Sequence, residues 1–142
     1  MKIALGSDHG GFELKEVLKT YLLQSNYDII DVGCLTKESV DYPDFADKVV
    51  QQIGTDECQL GILICGTGIG MSIAANRKNY IRAANCYDEH TAKMSREHNN
   101  ANVLCLGARV LGKEKALAIV DTWIGTEFSG GRHQRRIEKF SR

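Results

Sequence analysis

Apolar positions along this chain fall into two alternating rhythms. Short continuous runs at Lys2 to Gly6, Tyr27 to Gly33, Leu60 to Cys65, Ile81 to Cys86 and Val103 to Ala108 predict strands buried on both faces. Between them lie segments of helical period. The clearest is Phe12 to Gln24, where Leu14, Val17, Leu18, Tyr21 and Leu22 form one apolar stripe. Asp44 to Ile53, Met71 to Arg77, Glu89 to His98 and Lys113 to Ile124 continue the alternation. Strand and helix taking turns five times predicts an α/β fold: a three-layer α/β/α sandwich around a five-stranded parallel, Rossmann-like or flavodoxin-like sheet. Pro43, the one proline, suits the opening turn of the second helix.

The chain closes with SGGRHQRRIEKFSR, a glycine break before a short basic helix that lacks a wide apolar face. Such a helix lies in solvent or packs on something outside its own domain, and a partner subunit is the economical candidate. Neither a linker nor a repeat interrupts the 142 residues, so a single domain over 1–142 is expected.

Charge adds a constraint. Lysine plus arginine equals aspartate plus glutamate at 18 each, so no overall field recruits nucleic acid or an anionic membrane. The start, MKIALGSDHGG, lacks a secretory pattern, and no apolar run approaches the ~18 residues of a membrane span, which predicts a cytoplasmic protein. Cys34, Cys58, Cys65, Cys86 and Cys105 are odd in number and include no CxxC pair, as expected of reduced thiols. Cys86 and Cys105 read as core, Cys34 and Cys58 as loop residues. His90 and His98 would stand about 12 Å apart along a helix, so no metal site is expected.

Chemistry concentrates in LGILICGTGIGMSIAANR, residues 60–77. Cys65 ends an apolar strand, and Gly66, Gly68 and Gly70 let the backbone curl into a nest of N–H donors before a helix. Such a nest, with the helix dipole, favours an oxyanion, a phosphate or a cysteine thiolate. The spacing is neither the GxGxxG of dinucleotide sites nor a P-loop. Ser7, Asp8 and His9 follow the first strand, and His98, Asn99 and Arg109 lie near the fourth and fifth. Carboxyl ends of strands converge on one edge of such a sheet, so these residues are expected to share a site suited to proton transfer on a polyhydroxylated anion. Asp8 could equally be a helix cap, and His98 a helix-end cation. Thr67, two residues after Cys65, is either a small loop residue or a hydroxyl that could reach the same ligand. Arg132 and Arg136, four apart, fall on one helical face and can grip a phosphate, although a solvated basic face is the usual alternative.

GSDHGGFELK, DYPDFA, CGTGIGMSIAANR, the run from Asn85 through HTAKMSREHNNANVLCLGAR, and GGRHQRR together resemble the type B ribose-5-phosphate isomerases, a family shared with allose-6-phosphate and galactose-6-phosphate isomerases. The similarity covers essentially the whole chain. It implies interconversion of ribose 5-phosphate and ribulose 5-phosphate through an enediolate, in the pentose phosphate pathway, a scheme that requires no metal or organic cofactor. By that resemblance Cys65 is the general base, and the amides of Gly66, Thr67, Gly68, Ile69 and Gly70 hold the enediolate. His98, with Thr67, opens the furanose ring. Asp8 holds sugar hydroxyls; His9, Arg109, Arg132 and Arg136 grip the phosphate; Tyr42 and Asn99 make further contacts. Some members carry a glutamate base where this chain has Ile69, so the chain falls in the cysteine class. Family members are homodimers or tetramers whose sites combine two chains. A hexose 6-phosphate substrate, a non-catalytic sugar-phosphate-binding module and a thiol nucleophile of another reaction class are the competing readings.

Overall fold

The computed structural model describes residues 1–141. Its strands are β1 (Lys2–Ser7), β2 (Asp28–Asp31), β3 (Leu60–Cys65), β4 (Ala83–Asn85) and β5 (Val103–Gly107), and every pairing between them is parallel, in the order β2-β1-β3-β5-β4. The helices are α1 (Phe12–Gln24), α2 (Tyr42–Gly54), α3 (Ile69–Ala75), α4 (Glu89–Glu97), α5 (Lys113–Gly125) and α6 (Arg132–Glu138), with a single 3₁₀ turn at His9–Gly11.

All six residues of β3 are buried, which is why its sequence is an unbroken apolar run. Two apolar layers flank the sheet. One joins Leu14, Leu18 and Leu22 of α1 to Ala92 of α4 and to Ala116, Ile119, Val120 and Trp123 of α5. The other joins Ala46, Val49 and Val50 of α2 to Met71 and Ala75 of α3. Right-handed crossovers account for this division. The path from β1 to β2 runs one way along the sheet, the paths to β3 and β4 run the other, and the return from β4 to β5 reverses again.

β4 is shorter than its apolar run implies. The backbone at Arg82 is held by the Asn102 side chain, which accepts from Arg82 N–H at 2.8 Å, so Ile81 and Arg82 stand outside the ladder. α2 begins at Tyr42, two residues before the expected start, with Pro43 in its first turn. Cys34 and Cys58 lie in loops yet are buried, as are Cys86 and Cys105. All five cysteines are free thiols.

One buried charge stands out in α1. The Lys15 side chain is 0 % exposed, and its Nζ donates to Asp31 Oδ2 at 2.6 Å and to Glu16 Oε1 at 2.9 Å. Asp31 also accepts from Lys19 and, through Oδ1, from Gly33 N–H at 2.9 Å. Gly33 in turn accepts from Ser7 N–H at 2.7 Å, so this ionic cluster braces the turn beside the end of β1.

No helix among the described residues is long and apolar enough to cross a membrane.

Candidate active site

Cys65 is the last residue of β3 and is 5 % exposed. The chain turns there through Gly68, whose φ of +83° suits glycine, and enters α3. The turn brings Gly68 N–H to 3.1 Å from Cys65 Sγ, a donor aimed at the sulfur. The N–H groups of Gly66, Thr67 and Gly70 have no hydrogen-bond partner among the described residues, as expected of a nest that opens toward a ligand. Thr67 is exposed, and its Oγ1 accepts from Ile69 N–H at 3.2 Å. Tyr42, at the start of α2, lays its ring against Gly70: a Cβ there would stand 2.7 Å from the tyrosine Cζ.

Side chains after β1 share this edge. Asp8 N–H donates to Ile64 O at 3.2 Å, tying the turn to β3, and Asp8 Oδ1 accepts from Gly11 N–H at 3.0 Å. Asp8 therefore does cap the 3₁₀ turn, and the same bond holds its carboxylate at the sheet edge. His9 Nδ1 accepts from Val40 N–H at 3.2 Å, which leaves Nε2 as the protonated nitrogen of the neutral ring. Arg109 follows β5, its N–H donating to Gly66 O at 3.0 Å. Its guanidinium lies between the two loops: Cβ atoms placed at Gly10 and Gly66 would stand 3.5 and 3.3 Å from its terminal nitrogens. Asp8, His9, Tyr42, residues 65–70 and Arg109 thus form one cluster.

His98 and Asn99 do not join it. α4 runs back against the strands, so its C-cap His98 reaches the amino-terminal edge, ahead of β5. Gly61 at that edge and Cys65 at the other are four residues apart on β3, ~13 Å along the strand. The expectation that these residues converge within one chain is thereby corrected, because a helix that leads into a strand ends at the strand's opposite end. Arg132 and Arg136 go with His98. Ser129 N–H donates to Glu97 O at 3.0 Å, and the His133 ring stacks on His98 with centroids 4.3 Å apart and planes 12° from parallel. Arg132 and Arg136 are exposed and form no ion pair among the described residues. Desolvation beside His98, with positive charge on His98, Arg132 and Arg136, holds His133 below the usual histidine value despite Glu97. A hollow of about 450 Å³ at this edge is lined by Asn76, Lys78, Arg82, Asn99, Ala101 and Phe140.

Sequence reasoning passed over the supports of both clusters. Asn85, at the end of β4, lies behind the glycine loop; with its amide turned so that Nδ2 donates to Cys105 O at 3.2 Å, Oδ1 accepts from Tyr87 O–H at 3.0 Å and Ile69 N–H at 3.3 Å. Arg96 knits the other cluster, donating from Nη1 to Ala101 O at 2.5 Å and from Nε to Thr126 O at 3.2 Å, with its guanidinium 5.6 Å from the Trp123 ring centroid. Asn85 is a polar residue one position before the end of the Ile81 to Cys86 run, whereas nothing in the local pattern marks Arg96. No group of three His, Cys, Asp or Glu that could hold a metal ion occurs among the described residues.

A thiol with a backbone donor on its sulfur, beside open amides, a carboxylate and a guanidinium, is equipped to move a proton on an anionic substrate. Comparison with known proteins points the same way. A solved structure of ribose-5-phosphate isomerase B from Clostridium thermocellum superposes with a TM-score of 0.98 at 54% identity, covering 99% of this chain and 95% of that one. Ribose-5-phosphate isomerase B of Escherichia coli (strain K12) is 47% identical over 137 residues, 96% of this chain and 92% of the relative. The isomerase B of Mycoplasma genitalium, solved with bound ribulose-5-phosphate, has a TM-score of 0.93 at 41% identity, covering 97% of this chain and 92% of that one. The family model described as Ribose/Galactose Isomerase matches residues 3–140, and with a match of that extent this chain belongs to that family.

Proposed function

We propose that this protein interconverts ribose 5-phosphate and ribulose 5-phosphate. The observation that carries the reading is the Cys65 sulfur, held by Gly68 N–H at the mouth of a glycine loop with open amides. The Cys65 thiolate removes the proton from C2 of the open-chain aldose. Negative charge then spreads onto the carbonyl oxygen, where the loop amides meet it. Such donors are worth about 3 to 4 kcal/mol each when well aligned. Returning the proton to C1 completes the ketose, so the reaction is a net isomerisation. Ile69, where a glutamate base would stand in other members, has no proton to exchange.

The functional unit in this reading is a homodimer. His98, Asn99, Arg132 and Arg136 of one copy approach the Cys65 cluster of the other, where His98 with Thr67 opens the ring and the arginines, with His9 and Arg109, hold the phosphate. Asp8, Tyr42 and Asn99 contact the sugar. The support is the separation of the two clusters across the sheet, each carrying cations without ion-pair partners. Five free thiols suit a reducing compartment such as the cytoplasm.

Ketose formation from ribose 5-phosphate, with allose 6-phosphate and galactose 6-phosphate in parallel, tests the reading in wild type and Cys65→Ala. Pentose turnover that vanishes in the variant is the expected result. Turnover of a hexose phosphate alone changes the substrate and keeps the mechanism; binding without turnover of any sugar leaves a binding module. Mixing inactive Cys65→Ala chains with inactive His98→Ala chains restores activity when subunits exchange, because one site of each mixed dimer is intact. Absence of recovery despite exchange refutes the shared site.

A further inference from the structure

His98 stands where α4 ends, and its own ring has no hydrogen-bond partner among the described residues; the nearest carboxylate oxygen, on Glu97, is 3.9 Å away. What defines the plane of the imidazole is the ring of His133, stacked at 4.3 Å and 12°. That contact is built rather than incidental. Gly130 and Gly131, at φ +67° and +58°, reverse the chain, and Ser129 N–H fastens the segment to the last carbonyl of α4 before α6 begins.

We infer that His133 is a positioning residue for ring opening, its stacked ring holding the His98 imidazole in the plane from which it transfers protons. This inference rests on the isomerase reading and deepens it. Opening the furanose form takes the proton from the C1 hydroxyl and delivers one to the ring oxygen as the C1–O bond breaks and the carbonyl forms. Atoms and charge balance with no further reactant. An imidazole free to rotate about its side-chain torsions is seldom aligned for that exchange. His133 touches only His98 in this role, so it acts through it. The groups that face the stacked pair are Glu97 from the end of α4 and Arg132 and Arg136 from α6.

Ribulose 5-phosphate separates this step from the carbon chemistry, since its C5 oxygen carries the phosphate and it cannot close a furanose ring. Exchange of its C1 hydrogen with D2O therefore reports Cys65 without ring opening. In His133→Ala, kcat/KM for ribose 5-phosphate falls about tenfold, a part of what a well-placed acid–base group contributes, while the exchange rate stays within about twofold of wild type. His133→Phe, which keeps a stacked ring without a titratable group, recovers most of the loss. The inference is overturned if His133→Ala retains ribose 5-phosphate turnover, if exchange falls in parallel with it, or if His133→Phe is as impaired as His133→Ala. A wild-type protein that neither turns over ribose 5-phosphate nor exchanges the ketose overturns the isomerase reading itself.

Discussion

Gly107, the last residue of β5, lies directly beneath the glycine loop that follows Cys65, and a single methyl group there tests the whole arrangement. A Cβ at this position would stand 2.6 Å from Thr67 O, 2.7 Å from its carbonyl carbon and 2.8 Å from its Cα. All three are backbone atoms, so no side-chain rotation relieves the contact. Reaching ordinary van der Waals separation at 3.4 Å requires Thr67 to move by 3.4 minus 2.6, about 0.8 Å. Overpacking of that kind costs about 1 to 3 kcal/mol, a fall in Tm of about 3 to 10 °C at fixed protein concentration. Its effect on rate is larger. In the proposed mechanism the amides of residues 66–70 act only in register with Cys65, and a displacement near 1 Å costs about 100-fold. Gly107→Ala is therefore expected to remain folded and to lose about two orders of magnitude in kcat/KM for ribose 5-phosphate. Gly125→Ala is the control: a Cβ there meets nothing within 4 Å, and at the end of α5 it is neutral or stabilising by a few tenths of a kcal/mol. Paired thermal melts and initial rates decide the matter, and a folded Gly107→Ala protein with kcat/KM within twofold of wild type would refute the reasoning.

Asp31→Asn strips the buried Lys15 of its shortest partner; with half-exposed Glu16 as the remaining carboxylate, unfolding in urea is expected to show a loss of about 3 kcal/mol. Burial pushes the Asp31 carboxyl up, but Lys15, Gly33 N–H and Lys19 together hold it below its ordinary value. Its folded state thus binds the proton less readily than the unfolded chain, so the stabilisation is complete above the ordinary carboxylate value of about 4 and fades as pH falls through and below it. The stability gap between wild type and Asp31→Asn accordingly narrows in acid, a trend that urea titrations at pH 3 to 7 measure. Arg96→Met leaves Ala101 O and Thr126 O without their donor and loosens the turn that carries His98. About 2 kcal/mol of stability is lost, with ribose 5-phosphate turnover reduced more than exchange of the ketose. His133, held below the usual histidine value, takes up its proton less readily when folded than unfolded. Its contribution to stability is present above about pH 6.5 and declines below, which NMR titration of its ring against the His133→Phe melting profile checks.

Much of the fold could be read from the chain because burial dictates pattern. Leu60 to Cys65 is apolar throughout and is strand throughout, whereas Ile81 and Cys86 flank a strand of three residues because Asn102 intercepts the backbone at Arg82. Strand order left no such trace: placing β5 between β3 and β4 satisfies the same periodicities as placing it at the edge. Cys65 and its glycines were legible as local chemistry at a strand end. The position of His98 followed from the alternation of strand and helix and was misread, since a helix that leads into the next parallel strand must end at the amino-terminal edge, opposite Cys65. Lys15 was overlooked for another reason. It shares a helical face with Leu18 and Leu22, and the Asp31 carboxylate, sixteen residues away, joins Glu16 in making a charge tolerable there.

The strand that separates Cys65 from His98 has a consequence for how this protein behaves on dilution. Under the shared-site reading proposed above, a lone chain carries both halves of the machinery and can bring neither to the other, so catalytic output is expected to follow the concentration of assembled pairs. Specific activity measured over decreasing protein concentration then traces a mass-action curve whose midpoint is the dissociation constant of the dimer. On the same reading, anything that wedges between the copies is expected to silence both sites at once, without approaching either sulfur.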